Sequence, residues 1–237
     1  MKKLTAVTVY SIAMGYLESA VVIYIREMIF GDALQVFPLT MLEPRLAILE
    51  VGREAATIVM LAVIGYLAGK DRLERWMMFI YSFAVWDIVY YIALRIVVGW
   101  PVSLLTPDVL FLIPVVWIGP VIAPVMISIL LAAASLSLLS IKSKFPGTGI
   151  RSRNIWFFLA GCVLVLYSFT VEIFHILLTE GPKGLENYTP KTFDWVLFIA
   201  GYLVMLAAVI KTIIESYHKM RSDNPRLREP GTHEEFQ

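Results

Sequence analysis

Six stretches of this chain stay apolar for about 20 residues or more, the length a helix needs to cross the hydrocarbon core of a bilayer. They lie at roughly 4–26, 46–69, 74–98, 109–141, 154–179 and 193–216. Of the 237 residues, 59% are hydrophobic and 16% charged, whereas a soluble domain carries about 25% charged residues. Water is therefore not the main solvent, and a soluble enzyme or a nucleic-acid binder is excluded. The expected fold class is all-α, a polytopic transmembrane bundle of six spans. Residues 1–221 make one transmembrane domain, and 222–237, with Pro225, Pro230 and Gly231, make a polar tail.

The fourth stretch is too long for one straight span and holds Pro114, Pro120 and Pro124. Thr106-Pro107-Asp108 has the form of a helix start: a cap residue, a proline in the first turn and an acid beside it. A short half-helix from 108 to about 117, then a full span from about 119, is expected. This proline-broken or re-entrant segment before span four could form a lid, and irregular backbone at that depth needs cover from protein or a water-filled cavity. The alternative is an interfacial loop anchored by Trp100 and Trp117.

Basic residues set the orientation. Lys2 and Lys3, then Lys70, Arg72 and Arg75, then Lys142, Lys144, Arg151 and Arg153, then Lys219 and Arg221 with Arg226 and Arg228, all fall on one side of a six-span chain. The positive-inside rule places that side, with both termini, in the cytoplasm. The first stretch contains Glu18 and lacks a small-residue cleavage pattern, so it is read as a retained helix. The one cysteine, Cys162, offers no disulfide and no metal knuckle.

Ionisable residues inside the spans point to the site. Glu18, Glu50, Arg53, Glu54, Asp87, Arg95, Glu172 and His175 all interrupt apolar sequence. Such groups are expensive at membrane depth and usually face the bundle interior. Glu50, Arg53, Glu54 and Thr57 share one helix face, as do Asp87, Tyr90, Tyr91 and Arg95, and Ser168, Glu172 and His175. Topology gathers them in the outer half of four spans. Glu18, Glu50, Glu54, Asp87, Glu172 and His175 are the candidate catalytic groups; Arg53, Tyr90, Tyr91 and Arg95 are the candidate substrate-binding groups.

Each piece also has a structural reading. Arg53 can pair with Glu50, Glu54 or Asp87 and hold helices in register. The two tyrosines can be packing residues. Arg26 and Arg95 lie close enough to the outer surface to snorkel, and Asp108 and Asp194 resemble acids favoured at helix N-termini. His175 alone reads more readily as a hydrogen-bonded bundle histidine than as a ligand. Charge counting weakens the purely structural view. Five acids face only Arg53 and Arg95 in the spans, so two or three acids must hold a proton, meet water or meet a cation.

Glu172-x-x-His175 matches the pattern by which di-metal helical bundles present ligands, with glutamates from other helices completing the set. Glu54 and Glu18 would be those glutamates, and the oxygen-rich balance suits Mg, Mn or Fe(II) as a divalent cofactor. A full site of that kind carries two such motifs, and this chain has one.

Glu50-Val51-Gly52-Arg53-Glu54-Ala55-Ala56-Thr57 and Trp86-Asp87-Ile88-Val89-Tyr90-Tyr91, followed by Gly99-Trp100-Pro101, resemble segments of small multi-pass prokaryotic membrane proteins of unassigned function. The resemblance covers spans two to four. It implies a shared membrane fold and carries no activity across; the expected location is the plasma (inner) membrane. Three functions remain open from the residues. The favoured one is an intramembrane enzyme acting on a lipid or isoprenoid by acid/base or metal-assisted chemistry. The others are a proton- or cation-coupled small transporter, and a non-catalytic subunit or assembly factor.

Overall fold

Long apolar runs, with few residues able to break them, become helices here. A computed structural model describes residues 2–223 apart from Met41, Pro114 and Asn187. Its six long helices are α1 (Lys2–Phe30), α2 (Pro44–Ala68), α3 (Arg72–Val98), α4 (Ile122–Lys144), α5 (Ser152–Thr179) and α6 (Trp195–Asp223). Five of them, all but α2, are long and apolar enough to cross a membrane. Most of the expected tail, 224–237, lies outside the described residues, as do Arg226 and Arg228.

Local chemistry sets the helix ends. Pro44 opens α2 within its first turn, where a missing N–H costs nothing. Asp71 caps α3 by accepting from the backbone N–H groups of Leu73 at 3.0 Å and Glu74 at 3.2 Å. Gly99, at φ +77°, ends the same helix in the left-handed conformation.

The segment before α4 differs from expectation. The described residues between 108 and 117 do not form a half-helix. They belong to an antiparallel hairpin of β1 (Pro107–Phe111) and β2 (Trp117–Pro120), with Asp108 opposite Gly119 and Val109 opposite Ile118. Pro107, Val109, Ile118 and Pro120 suit extended backbone, and strand pairing satisfies polar groups that a lone half-helix would leave open at its ends. Pro114, part of the argument for a break, lies outside the described residues. The hairpin continues into α4 through Val121 N–H donating to Thr106 O at 3.0 Å and Ile122 N–H to Leu104 O at 2.8 Å.

Helix α3 is central: α1, α2 and α4 pack on it, α6 packs on α4, and α5 pairs with α6. Small residues let these helices approach closely, as is usual in bilayers. A Cβ on Gly65 would fall 2.6 Å from the Phe79 backbone, and one on Gly15 would fall 2.7 Å from Trp86 O. The Phe-Leu-Ala-Gly run ending at Gly161 and the Phe-Ile-Ala-Gly run ending at Gly201 turn out to be partners. A Cβ on Gly161 would sit 2.8 Å from Gly201 O, and one on Gly201 would sit 2.9 Å from Gly161 O.

The basic loops gather at one end. Lys3 Nζ donates to Ala68 O at 3.0 Å, Lys142 Nζ meets Asp71 Oδ2 at 3.0 Å, and Lys219 Nζ donates to Gly147 O at 3.3 Å. Lys142 beside it, more than any other group, holds the Asp71 carboxyl below its usual range. Stability from this contact is present above the unfolded carboxyl's range and fades as pH falls through the lowered folded value.

Two substitutions test this account. Gly161→Val should destabilise the bundle by about 1–3 kcal/mol through overpacking at the α5–α6 crossing, seen as a lower Tm in detergent; an unchanged Tm would contradict the close approach. Asp71→Ala should cost about 1 kcal/mol through the lost cap. That difference from wild type should shrink in acid, where Asp71 is protonated anyway.

Candidate functional site

A cavity of about 310 Å³ lies between the α1–α2–α3 and α4–α5–α6 halves, with the hairpin over it. Its polar end is formed by Glu18 of α1, Arg53, Glu54 and Thr57 of α2, and Asp87 and Tyr90 of α3. Its apolar lining includes Phe111 and Trp117 of the hairpin, Ile127 of α4, and Val165, Leu166 and Phe169 of α5. Glu18, Arg53, Glu54 and Asp87, four of the eight ionisable residues expected in one layer, thus line one cavity.

Spacing on α2 explains the first part of the arrangement. Glu54 and Thr57 are buried and Arg53 half-buried on one face, while Val51, Ala55 and Val59 remain exposed on the other. Arg53 Nε donates to Glu50 Oε2 at 2.9 Å, and Arg53 Nη1 also meets Glu18 Oε1 across the α1–α2 interface. Thr57 Oγ1 donates to Glu18 Oε2 at 3.0 Å. Of the pairings open to Arg53, Glu50 is therefore used and Asp87 is not; Glu18 is the further partner. Glu54 instead accepts from the Leu112 backbone N–H, at 3.1 and 3.2 Å to its two oxygens. Asp87 accepts from Ser128 Oγ of α4 at 2.8 Å.

Sequence reasoning missed a second buried group. Arg26 does not snorkel, and Asp108 is not at a helix N-terminus. Arg26 is 6% exposed and Asp108 1% exposed. Arg26 Nη2 donates to Asp108 Oδ1 at 3.1 Å, Tyr91 Oη donates to Asp108 Oδ2 at 3.2 Å, and the Arg26 guanidinium lies 4.1 Å from the Trp100 ring centroid. Burial overrides snorkelling because a carboxylate, a phenol and an aromatic face replace water at once. Nothing local in sequence joins residues 26, 91 and 108; only the hairpin's fold does. Ser128, a lone hydroxyl in apolar sequence, carried no signal either.

Three expected members lie elsewhere. Arg95 is exposed and donates to the carbonyls of Gly99 and, at 2.9 Å, Pro101, closing the end of α3. That use is natural for a cation in a helix's last turn. Glu172 and His175 are exposed on α5. Glu172 lines a separate depression with Tyr188, Lys191 and Asp194. Burial, with the Glu172 carboxylate beside it, raises the Tyr188 phenol above its ordinary range. Glu172, His175, Glu54 and Glu18 are consequently not one ligand set, and among the described residues no three His, Cys, Asp or Glu side chains are grouped to hold a metal ion. The Glu-x-x-His spacing placed both residues correctly on one helix face, but on a face turned from the carboxylates.

What the cavity can do follows from its partners. Arg53 answers Glu18 and Glu50, and Arg26 answers Asp108. Glu54 and Asp87 are met by a backbone N–H and a serine hydroxyl, both neutral. These two carboxyls are the natural places to hold or exchange a proton in a dry site. Two further donors line the same space: the indole N–H groups of Trp86 and Trp117 are buried with no hydrogen-bond partner among the described residues. Carboxylate acceptors and indole donors set among aliphatic and aromatic walls make the cavity amphipathic. Comparison with family models, curated proteins and solved structures gave no match.

Arg53→Met tests the hub. It leaves Glu18 and Glu50 without their cation and should cost about 3 kcal/mol, read as a loss of Tm in detergent. Adding Glu18→Gln should recover part of that loss, since one unpaired charge is removed. A double variant no more stable than Arg53→Met alone would show that the pair is not coupled.

Proposed function

We propose that this chain is an integral membrane enzyme that performs acid/base chemistry on a lipid or isoprenoid drawn from the outer leaflet. The observation that carries this reading is the pair Glu54 and Asp87, each buried in an amphipathic cavity and hydrogen-bonded by a neutral donor. One carboxyl holds a proton for delivery and the other accepts one, the two-carboxylate logic by which one site runs both halves of a proton exchange. Tyr90 lines the same space as a neutral hydroxyl. Arg53 is already engaged, so its part is to hold Glu18 and Glu50 in place rather than to grip an anionic head group.

In this reading all six helices span the membrane. α2 lies in the same layer as the other five: its last turn meets Lys3 of α1, and only residues 69–71 separate it from α3. Its outward face carries Ile48, Val59, Val63 and Leu67, all exposed, as contact with lipid requires. The basic end is cytoplasmic by the positive-inside rule, with both termini there and the hairpin towards the outside of a prokaryotic plasma membrane.

Asp87→Asn and Glu54→Gln should each lower turnover about 10²–10⁴-fold, the usual worth of a positioned acid or base, while Tm stays close to wild type. Turnover is followed by lipid mass spectrometry on protein reconstituted with a total membrane lipid extract. Undiminished conversion in both amides would sink the enzyme reading. Proton or cation flux in tight vesicles, abolished by the same amides, would assign transport instead.

A further inference from the structure

The carboxylate cavity has an apolar neighbour. A second, apolar cavity of about 510 Å³ lies towards the basic end, between α3, α4, α5 and α6. The two follow one another by a single helical turn on every one of those helices. Phe83 lines the first and Ile80 the second; Ser128 and Leu131, Cys162 and Leu159, and Met205 and Ala208 continue the same faces three residues apart. From Asp87 to Leu73, the run along α3 is about 21 Å at 1.5 Å per residue. One leaflet of the hydrocarbon core is about 15 Å, so the two cavities together extend further than an ordinary leaflet's depth. Its side is open to the bilayer, since Trp76, Ile155 and Leu159 line it while 63%, 43% and 43% exposed.

The head of this cleft sorts lipids by charge. Glu18, Glu54 and Asp87 line it against Arg53, which is already paired with Glu18 and Glu50, while Asp108 nearby is paired with Arg26. A phosphate there would face Glu54 and Asp87 with no cation left to answer it. A hydroxyl fits both kinds of open valence: its proton is donated to a carboxylate, and its lone pairs accept from the unpartnered indole N–H of Trp86 or Trp117. We propose that the cleft binds one long-chain alcohol, its hydroxyl among Glu54, Asp87 and the two indoles, and its tail along α3, α4 and α5 towards the cytoplasmic side. This rests on the assignment of the polar cavity as a lipid-head site, and it specifies the head group and the path of the tail.

The experiment uses the full chain in lipid nanodiscs with a long-chain prenyl alcohol bearing a diazirine at its tail end. Photolysis followed by peptide mass spectrometry should place the label on residues 73–80, 131–138 and 155–159. Unlabelled alcohol should compete, and the corresponding prenyl phosphate should compete at least about tenfold less well. Leu159→Trp, or Ile155→Trp if the first does not fold, narrows the cleft from an exposed position and should cut labelling about tenfold. Label spread evenly over the bilayer-facing helices, or equal competition by the phosphate, would overturn the proposal. Binding is read without turnover, so the two failures separate. Specific labelling of a protein that converts nothing would retain the cleft and remove the catalytic reading, whereas conversion with scattered label would do the reverse.

Discussion

Charge taken out of water has to be answered by other charge or by hydrogen bonds, and Arg53 gives the largest single answer in this bundle. Its guanidinium reaches Glu50 on its own helix and Glu18 on α1, so a fork of donors joins two elements at the same depth. Replacing such a cluster by apolar side chains often costs nothing in stability, so its presence is poorly explained by stability alone. The cluster makes more sense as scaffolding for what it leaves open. With Glu18 and Glu50 satisfied, Glu54 and Asp87 are the carboxyls left facing the cavity with neutral partners. The Arg26–Asp108 pair plays the same part for the hairpin, pinning a strand to α1 and, through Tyr91, to α3.

The hairpin answers a second demand of an apolar solvent, that backbone groups be paired. Two short strands satisfy each other, and Gly119 lies so close to α5 that a Cβ there would be 2.8 Å from the Phe169 ring. Contacts to Arg26, Tyr91, Glu54 and Phe169 tie the hairpin to α1, α3, α2 and α5. A roof held at that many points fixes the height and shape of the space beneath it. It also separates the carboxylates from the depression that contains Glu172 and Tyr188.

Much of this was legible in the sequence because apolar length and helical spacing act locally. The helices fall where the runs predict, and the stripe Glu50, Arg53, Glu54 and Thr57 stays a stripe because residues three and four apart must share a face. Glu18 meets that stripe, and Asp87 lines the same cavity, because adjacent antiparallel helices bring similar heights together. What could not be read depends on helix rotation and on strand pairing. Periodicity puts Glu172 and His175 on one side of α5 but cannot say which way that side turns, and it turns away. The hairpin was mistaken for a half-helix because a proline beside an acid suits both, and only cross-strand pairing decides between them. Arg26 and Asp108 follow from that same error, since a residue assigned to the wrong element is assigned to the wrong neighbours.

One contact has a meaning that geometry alone does not exhaust. Glu54 is a carboxyl proposed to exchange protons, and it is also the acceptor that latches Leu112 at the turn of the roof. A proton gained there weakens the acceptor, and a roof that lifts takes a donor away from the carboxyl. Such dependence is reciprocal by thermodynamic necessity. The protonation of Glu54 and the strength of its hold on Leu112 are therefore two readings of one equilibrium.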